Sequence, residues 1–140
     1  MKREITWPND RQSAAMLSVM LDAEFIWLSM DPRKYDTPKH RSMGEYGPRR
    51  GIARILRLLD EYQVKATFFT PAVFAEVYPQ VLEKVIAAGH EIALHGYRHE
   101  DFDGMPAVQQ REILKRGSEI LESVTGTSPV GFRLPEGGCT

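Results

Sequence analysis

Apolar positions along the chain alternate between short continuous runs and stretches with helical spacing. Residues 14–21 form a nearly continuous apolar run that stops at Asp22, the pattern of a strand buried on both faces in a parallel sheet. Behind Pro48, which suits a first helical turn, Ile52, Ile55, Leu56, Leu59 and Tyr62 recur as one apolar stripe. Residues 65–70 are a second strand candidate. Thr70 caps and Pro71 opens the next helix, striped by Phe74, Val77, Val81, Leu82, Val85 and Ile86. Pro79 splits that helix, because an interior proline removes a donor and clashes with the preceding turn. Gly89 ends it as a C′ residue. From Glu91 the side chains alternate, Ile92 and Leu94 on one face, Ala93 and His95 on the other, which predicts a short buried strand. Pro106 starts a last helix with Ile113, Ile120, Leu121 and Val124 as its stripe and Gly126 at its close, and residues 130–134 form a fourth strand. Strands and helices in strict alternation predict an α/β protein with a parallel sheet.

Two segments stand apart. Residues 1–13 are polar and predict an N-terminal arm ahead of one domain over 14–140, with Trp7-Pro8 as its anchor. Between Asp31 and Gly47 the chain is rich in Pro, Gly, Lys, Arg and Tyr without a period, which predicts a long loop of the kind that is usually functional or disordered. Its tightest turn is placed at 44–47.

Composition changes the picture little. A length of 140 residues allows one domain with a core, and a net charge of −1 supplies no field to attract nucleic acid or an anionic membrane. No apolar run approaches the roughly 18 residues of a membrane span, and the first ten residues lack the apolar core of a signal peptide. A soluble cytoplasmic protein is expected. The single Cys139 cannot form an internal disulfide.

The chemistry gathers at the strand ends, where parallel α/β sheets bind ligands. Asp22, Thr70, His95 and Arg133 fall there, and a Gly96 bend returns a second imidazole, His99, four residues after the first. One carboxylate and two imidazoles suit a divalent metal, Zn²⁺ foremost, with Co²⁺, Ni²⁺ and Fe²⁺ as alternatives, at ligand distances of about 2.0–2.1 Å. Three protein ligands leave positions open for water and substrate, as catalytic sites require. Against this, Asp22 also fits a helix cap, and histidines at this spacing also occur without a ligand. The remaining candidates have plainer readings: His90 satisfies the turn after Gly89, His40 lies on the surface, and Phe68 and Phe69 belong to the core. Tyr97 and Arg98, between the imidazoles, suit substrate contact or packing and solvation equally.

Four motifs in order, M-L-D-A-E at 20–24, A-T-F-F at 66–69, H-G-Y-R-H at 95–99 and G-F-R-L-P at 131–135, resemble the first motifs of the polysaccharide deacetylase family, the NodB homology domain of carbohydrate esterase family 4. The stretch 42–51, S-M-G-E-Y-G-P-R-R-G, is similar to the branch containing peptidoglycan deacetylase homologues and cofactor-independent allantoinases. The resemblance implies a distorted (β/α) barrel, here partial, and a metal-dependent hydrolase of linear or cyclic amide C–N bonds, most often those of N-acetyl sugars. It implies Asp22, His95 and His99 as metal ligands and Arg133 as the arginine orienting a catalytic carboxylate. Where the family carries its general base, two residues before Asp22, this chain has Met20, which accepts no proton. Glu24 and Glu45 are the replacement candidates by motif. The family's later motifs would lie beyond residue 140, so a barrel truncated after about four strands is expected, with an open sheet edge that a second copy or another partner could complete. A metal- or ligand-binding module of the same fold without catalysis is the alternative. A third reading, an iron oxygenase with the same ligand types, fits the strand–helix alternation poorly. The expected substrate is a sugar amide, a small soluble amide or a cyclic ureide.

Overall fold

The computed structural model describes Trp7, Asn9 and residues 11–137. Most of the predicted arm over 1–13, and Cys139, lie outside the described residues; Trp7, Asn9 and 11–13 are exposed. The sheet contains three parallel strands in sequence order, β1 (Ser18–Met20), β2 (Thr67–Thr70) and β3 (Glu91–Leu94). In order, the helices are α1 (Phe25–Met30), α2 (Pro32–Tyr35), α3 (Pro38–Tyr46), α4 (Ile52–Glu61), α5 (Ala72–Val77), α6 (Pro79–Ala87) and α7 (Ala107–Thr125). The expected α/β class with a partial parallel sheet is what is observed.

Register fixes the two faces. Val19, Phe68 and Ile92 are aligned and share the face that the helices cover, where Phe74, Leu82, Val85 and Leu121 close the core. Met20, Phe69 and Ala93 share the opposite face. No helix among the described residues is long and apolar enough to cross a membrane.

Several predicted elements change. The apolar run 14–21 pairs only over Ser18–Met20, and Met16 (97% exposed), Leu17 and Met20 are open rather than buried on both faces. The cause is position: β1 has β2 as its one neighbour, so residues patterned for a sheet interior sit at its edge. The predicted loop 31–47 is mostly helical, and its tightest turn falls in the last turn of α3. Pro32 and Pro38 each begin a helix, and the side chains of Asp31 and Thr37 accept from the backbone N–H groups of Arg33 and His40. Residues Gly47–Gly51 form a π-helical turn leading into α4, and Tyr62 is exposed beyond it. Thr70 does not cap α5; its hydroxyl donates to the Phe68 carbonyl, and Pro71 holds the cap position. Val77 and Ile86 face outward from their stripe. The predicted fourth strand is a single parallel bridge, Leu94 to Phe132, closed by Leu94 N–H to Gly131 O at 2.9 Å and Arg133 N–H to Leu94 O at 3.0 Å. Pro79 does divide α5 from α6, and Gly89, at φ +75°, does end α6.

His90 fills the turn as expected: its Nδ1 accepts from Ala66 N–H at 3.3 Å, and its ring lies against Phe68. Burial lowers its pKa, and the Lys65 charge acts the same way. The unfolded chain therefore takes up this proton first, so stability present above the ordinary histidine pKa is lost as the pH falls through it. Asparagine at 90 keeps an acceptor and does not titrate. His90→Asn is expected to flatten the fall in unfolding free energy below about pH 6.5, measured by urea denaturation at several pH values. An unchanged slope would contradict this role.

Candidate metal centre

The strand ends deliver Asp22 and His95 toward one point. Leu21 N–H still bonds Phe69 O at 2.9 Å, carrying the pairing of β1 one residue further; Asp22 follows, and Ala23 turns the chain at φ +50°. His95 follows β3, its N–H bonded to Thr70 O at 3.0 Å, its ring 6.5 Å from that of Phe69. Gly96, at φ +74°, then bends the chain, and the Glu100 carboxylate accepts from the N–H groups of Tyr97 and Arg98, each at 2.9 Å. Ala72 and Val73 N–H groups, at the start of α5, bond the carbonyls of Gly96 and Tyr97 and tie this bend to the fold. His99 completes it in the left-handed region, at φ +63°, a strained conformation that persists where the surroundings hold it.

Asp22, His95 and His99 each bring one ligand atom within 4.8 Å of the others. The Asp22 Oδ1 lies 3.7 Å from His95 Nε2, and the two imidazoles meet edge to face with centroids 5.0 Å apart. His95 Nδ1–H donates to Arg133 O at 2.8 Å, which leaves the Nε2 lone pair free. The Ser29 hydroxyl spends its proton on Ile26 O, so at 3.4 Å it can only accept from His99 Nδ1–H. His99 therefore also keeps Nε2 as its acceptor nitrogen.

Burial raises the Asp22 carboxyl above the ordinary range, His95 and His99 pull it back, and Glu136 pushes it further up. Burial lowers His95, opposed by its bond to the Arg133 carbonyl and by Asp22. Asp22 Oδ1 is buried with no hydrogen-bond partner among the described residues. An orphaned buried carboxylate oxygen costs free energy unless something pairs with it. Aimed with two imidazole nitrogens at one place, it fits a divalent cation.

Of the predicted residues, the structure brings together Asp22, His95 and His99. Arg133 joins through its carbonyl, with its guanidinium 5.9 Å from the Phe69 ring centroid. Glu24 and Glu45 are not brought to the cluster. The Glu24 carboxylate is buried and accepts the Tyr78 hydroxyl at 2.9 and 3.1 Å; Glu45 pairs with Arg49 at 2.8 Å, one helical turn on. The residue missed was Glu136, whose Oε1 stands 3.9 Å from His99 Nδ1. Tyr97 is a packing residue, buried under Arg116 and bonded to Glu76, whereas exposed Arg98 lines a cavity. Phe69 is half-buried beside His95 rather than in the core, and His40 is partly buried against Trp27 and Tyr35 rather than on the surface. The cavity, about 590 Å³, opens beside the cluster at Ser29, with Phe25, Leu28, Arg41 and Arg98 in its walls.

The family model of polysaccharide deacetylases matches residues 43–140. The chain belongs to the polysaccharide deacetylase family. Over 117 residues it is 33% identical to the peptidoglycan deacetylase of Helicobacter pylori, covering 84% of this chain and 40% of that one. A solved structure described as "putative polysaccharide deacetylase from Mycobacterium smegmatis" superposes with a TM-score of 0.90 at 41% identity, over 94% of this chain and 46% of that one. Puue allantoinase superposes with a TM-score of 0.65 at 38% identity, over 69% of this chain and 32% of that one. The chain thus spans about two fifths of the length of the first two curated relatives it matches (38% and 40%).

Proposed function

We propose that Asp22, His95 and His99 hold a divalent metal, Zn²⁺ foremost with Co²⁺, Ni²⁺ or Fe²⁺ as alternatives, in a hydrolase of non-peptide C–N bonds. The observation that carries this is the orphaned Asp22 Oδ1 facing two acceptor nitrogens. A metal held there supplies Lewis acidity toward an amide carbonyl and toward water. The chain's own groups do the rest. Burial favours neutral His95, and the bond of its Nδ1–H to the Arg133 carbonyl leaves Nε2 presented. Glu136, whose Oε1 lies 3.9 Å from His99 Nδ1, is the further carboxylate brought near the cluster and the candidate proton acceptor where Met20 cannot serve. Glu24 is committed to Tyr78 and Glu45 to Arg49, which argues against either in that role. Burial raises the Asp22 carboxyl, and the Arg133 cation, after the two imidazoles, opposes that rise. The cavity beside Ser29 has the size of a small-molecule site, which supports a short N-acetyl sugar, a peptidoglycan fragment or a small ureide as substrate.

Acetate release from N-acetylglucosamine oligomers and peptidoglycan fragments, run beside allantoin hydrolysis, tests this reading. Turnover lost on chelation and regained with Zn²⁺ or Co²⁺ is expected; turnover indifferent to chelation would contradict it. A second reading, metal binding without catalysis, is favoured by Met20, which is exposed on the sheet face that carries Phe69 and Ala93. If it holds, the chain takes up metal and hydrolyses none of these substrates, even as Met20→Asp.

A further inference from the structure

The turn that aims Asp22 is strained, and the structure holds it at Glu24, the residue that follows it. Ala23, between Asp22 and Glu24, sits at φ +50°, where a Cβ collides with the following carbonyl. The conformation is unfavourable for alanine. Phe25 N–H bonds Asp22 O at 3.0 Å and closes the turn, but a single bond of that kind does not select the left-handed form. Glu24 supplies the rest. Only 5% of its surface is exposed, and its two oxygens accept the Tyr78 hydroxyl at 2.9 and 3.1 Å. Burying a carboxylate is costly, so its retention here needs a return. Tyr78 is itself fixed at the break between α5 and α6, with its N–H on Phe74 O at 2.7 Å and its ring on that of Phe74. On the other side, Gly44 of α3 lies so close to the Glu24 backbone that a Cβ there would stand 2.3 Å from Glu24 N. The residue after the turn is thus clamped by a hydroxyl on one side and a helix on the other.

We propose that Glu24 and Tyr78 are positioning residues: their hydrogen bond holds the left-handed turn at Ala23 and so presents Asp22 to His95 and His99. This rests on the metal-centre reading above and assigns Glu24 a role other than proton transfer. Glu24 touches neither metal nor substrate and acts through the backbone of Asp22.

The test is Co²⁺ binding to the full chain, read as a binding isotherm and as the visible absorption of bound Co²⁺, which reports its coordination. Tyr78→Phe is expected to weaken Co²⁺ binding about tenfold, the scale of groups that orient ligands, and to alter the spectrum. Ala23→Gly removes the collision, so in the Tyr78→Phe background it should restore both affinity and spectrum. If Tyr78→Phe alone does not fold, the pair Ala23→Gly/Tyr78→Phe should, and its failure to fold would overturn the proposal. Parent-like affinity and spectrum in Tyr78→Phe, or no rescue by Ala23→Gly, would also overturn it while leaving the metal reading intact. A parent chain that takes up no Co²⁺ would overturn both.

Discussion

Alanine at position 44 is expected to destabilise the protein by about 2 kcal/mol or more, although helix propensity alone argues the opposite sign. Gly44 lies in the last turn of α3, where alanine is favoured over glycine by about 1 kcal/mol. A Cβ at this position would meet the backbone of Glu24, with N at 2.3 Å and Cα at 2.4 Å. Overpacking costs about 1–3 kcal/mol where side chains can give way, and backbone gives way less, so about 3 kcal/mol is the reasonable minimum. The contact outweighs the propensity. Gly47 is the control: it has helical backbone angles and nothing within 4 Å of an added Cβ, so Gly47→Ala should be neutral or stabilising by up to about 1 kcal/mol. Guanidinium denaturation of the two variants measures the difference. Equal stabilities would show that α3 does not press on the turn after Asp22.

The second large effect has opposite signs in two measurements. Asp22→Asn is expected to lower divalent-metal affinity by more than about a hundredfold, since even groups that only orient ligands cost 10–100-fold. In metal-free protein the same change should raise stability. Burial pushes the Asp22 carboxyl up, and its Oδ1 has no partner among the described residues, so the folded chain holds a charge it would rather lose. Asparagine removes that charge at nearly constant volume. Calorimetric metal titration, with thermal unfolding in chelator, separates the two effects. Lower stability in chelator together with unchanged metal affinity would mean that Asp22 is a structural cap.

Much of this site could be read from the sequence because its parts are local. The alternation through Ile92, Ala93, Leu94 and His95 sets a strand and its end, and Gly96 marks the bend that returns His99. Pro79 and Gly89 mark breaks with their own backbone chemistry. What was not legible depends on partners distant in sequence. The helices between Asp31 and Gly47 show no apolar stripe because they are short and are held by caps and by the contact of Gly44 with Glu24. The exposure of Met16 and Leu17 is set by which strands flank β1, and no pattern within 14–21 contains that information. Glu24 is a candidate base by its motif, yet Tyr78, 54 residues away, takes its carboxylate. Glu45 likewise turned to Arg49. Glu136 lay just past the last motif, and the Leu94–Phe132 bridge precedes its approach to His99.

Elemental analysis of the purified chain beside its His95→Ala variant is the most direct test of the metal centre. His95 brings Nε2 to the cluster while its Nδ1 is held by Arg133 O, so its loss removes a ligand without touching the core. The account predicts about one Zn, Co, Ni or Fe per chain in the parent, as a three-ligand site holds, and none in the variant. Metal absent from both, or retained equally by both, would contradict it.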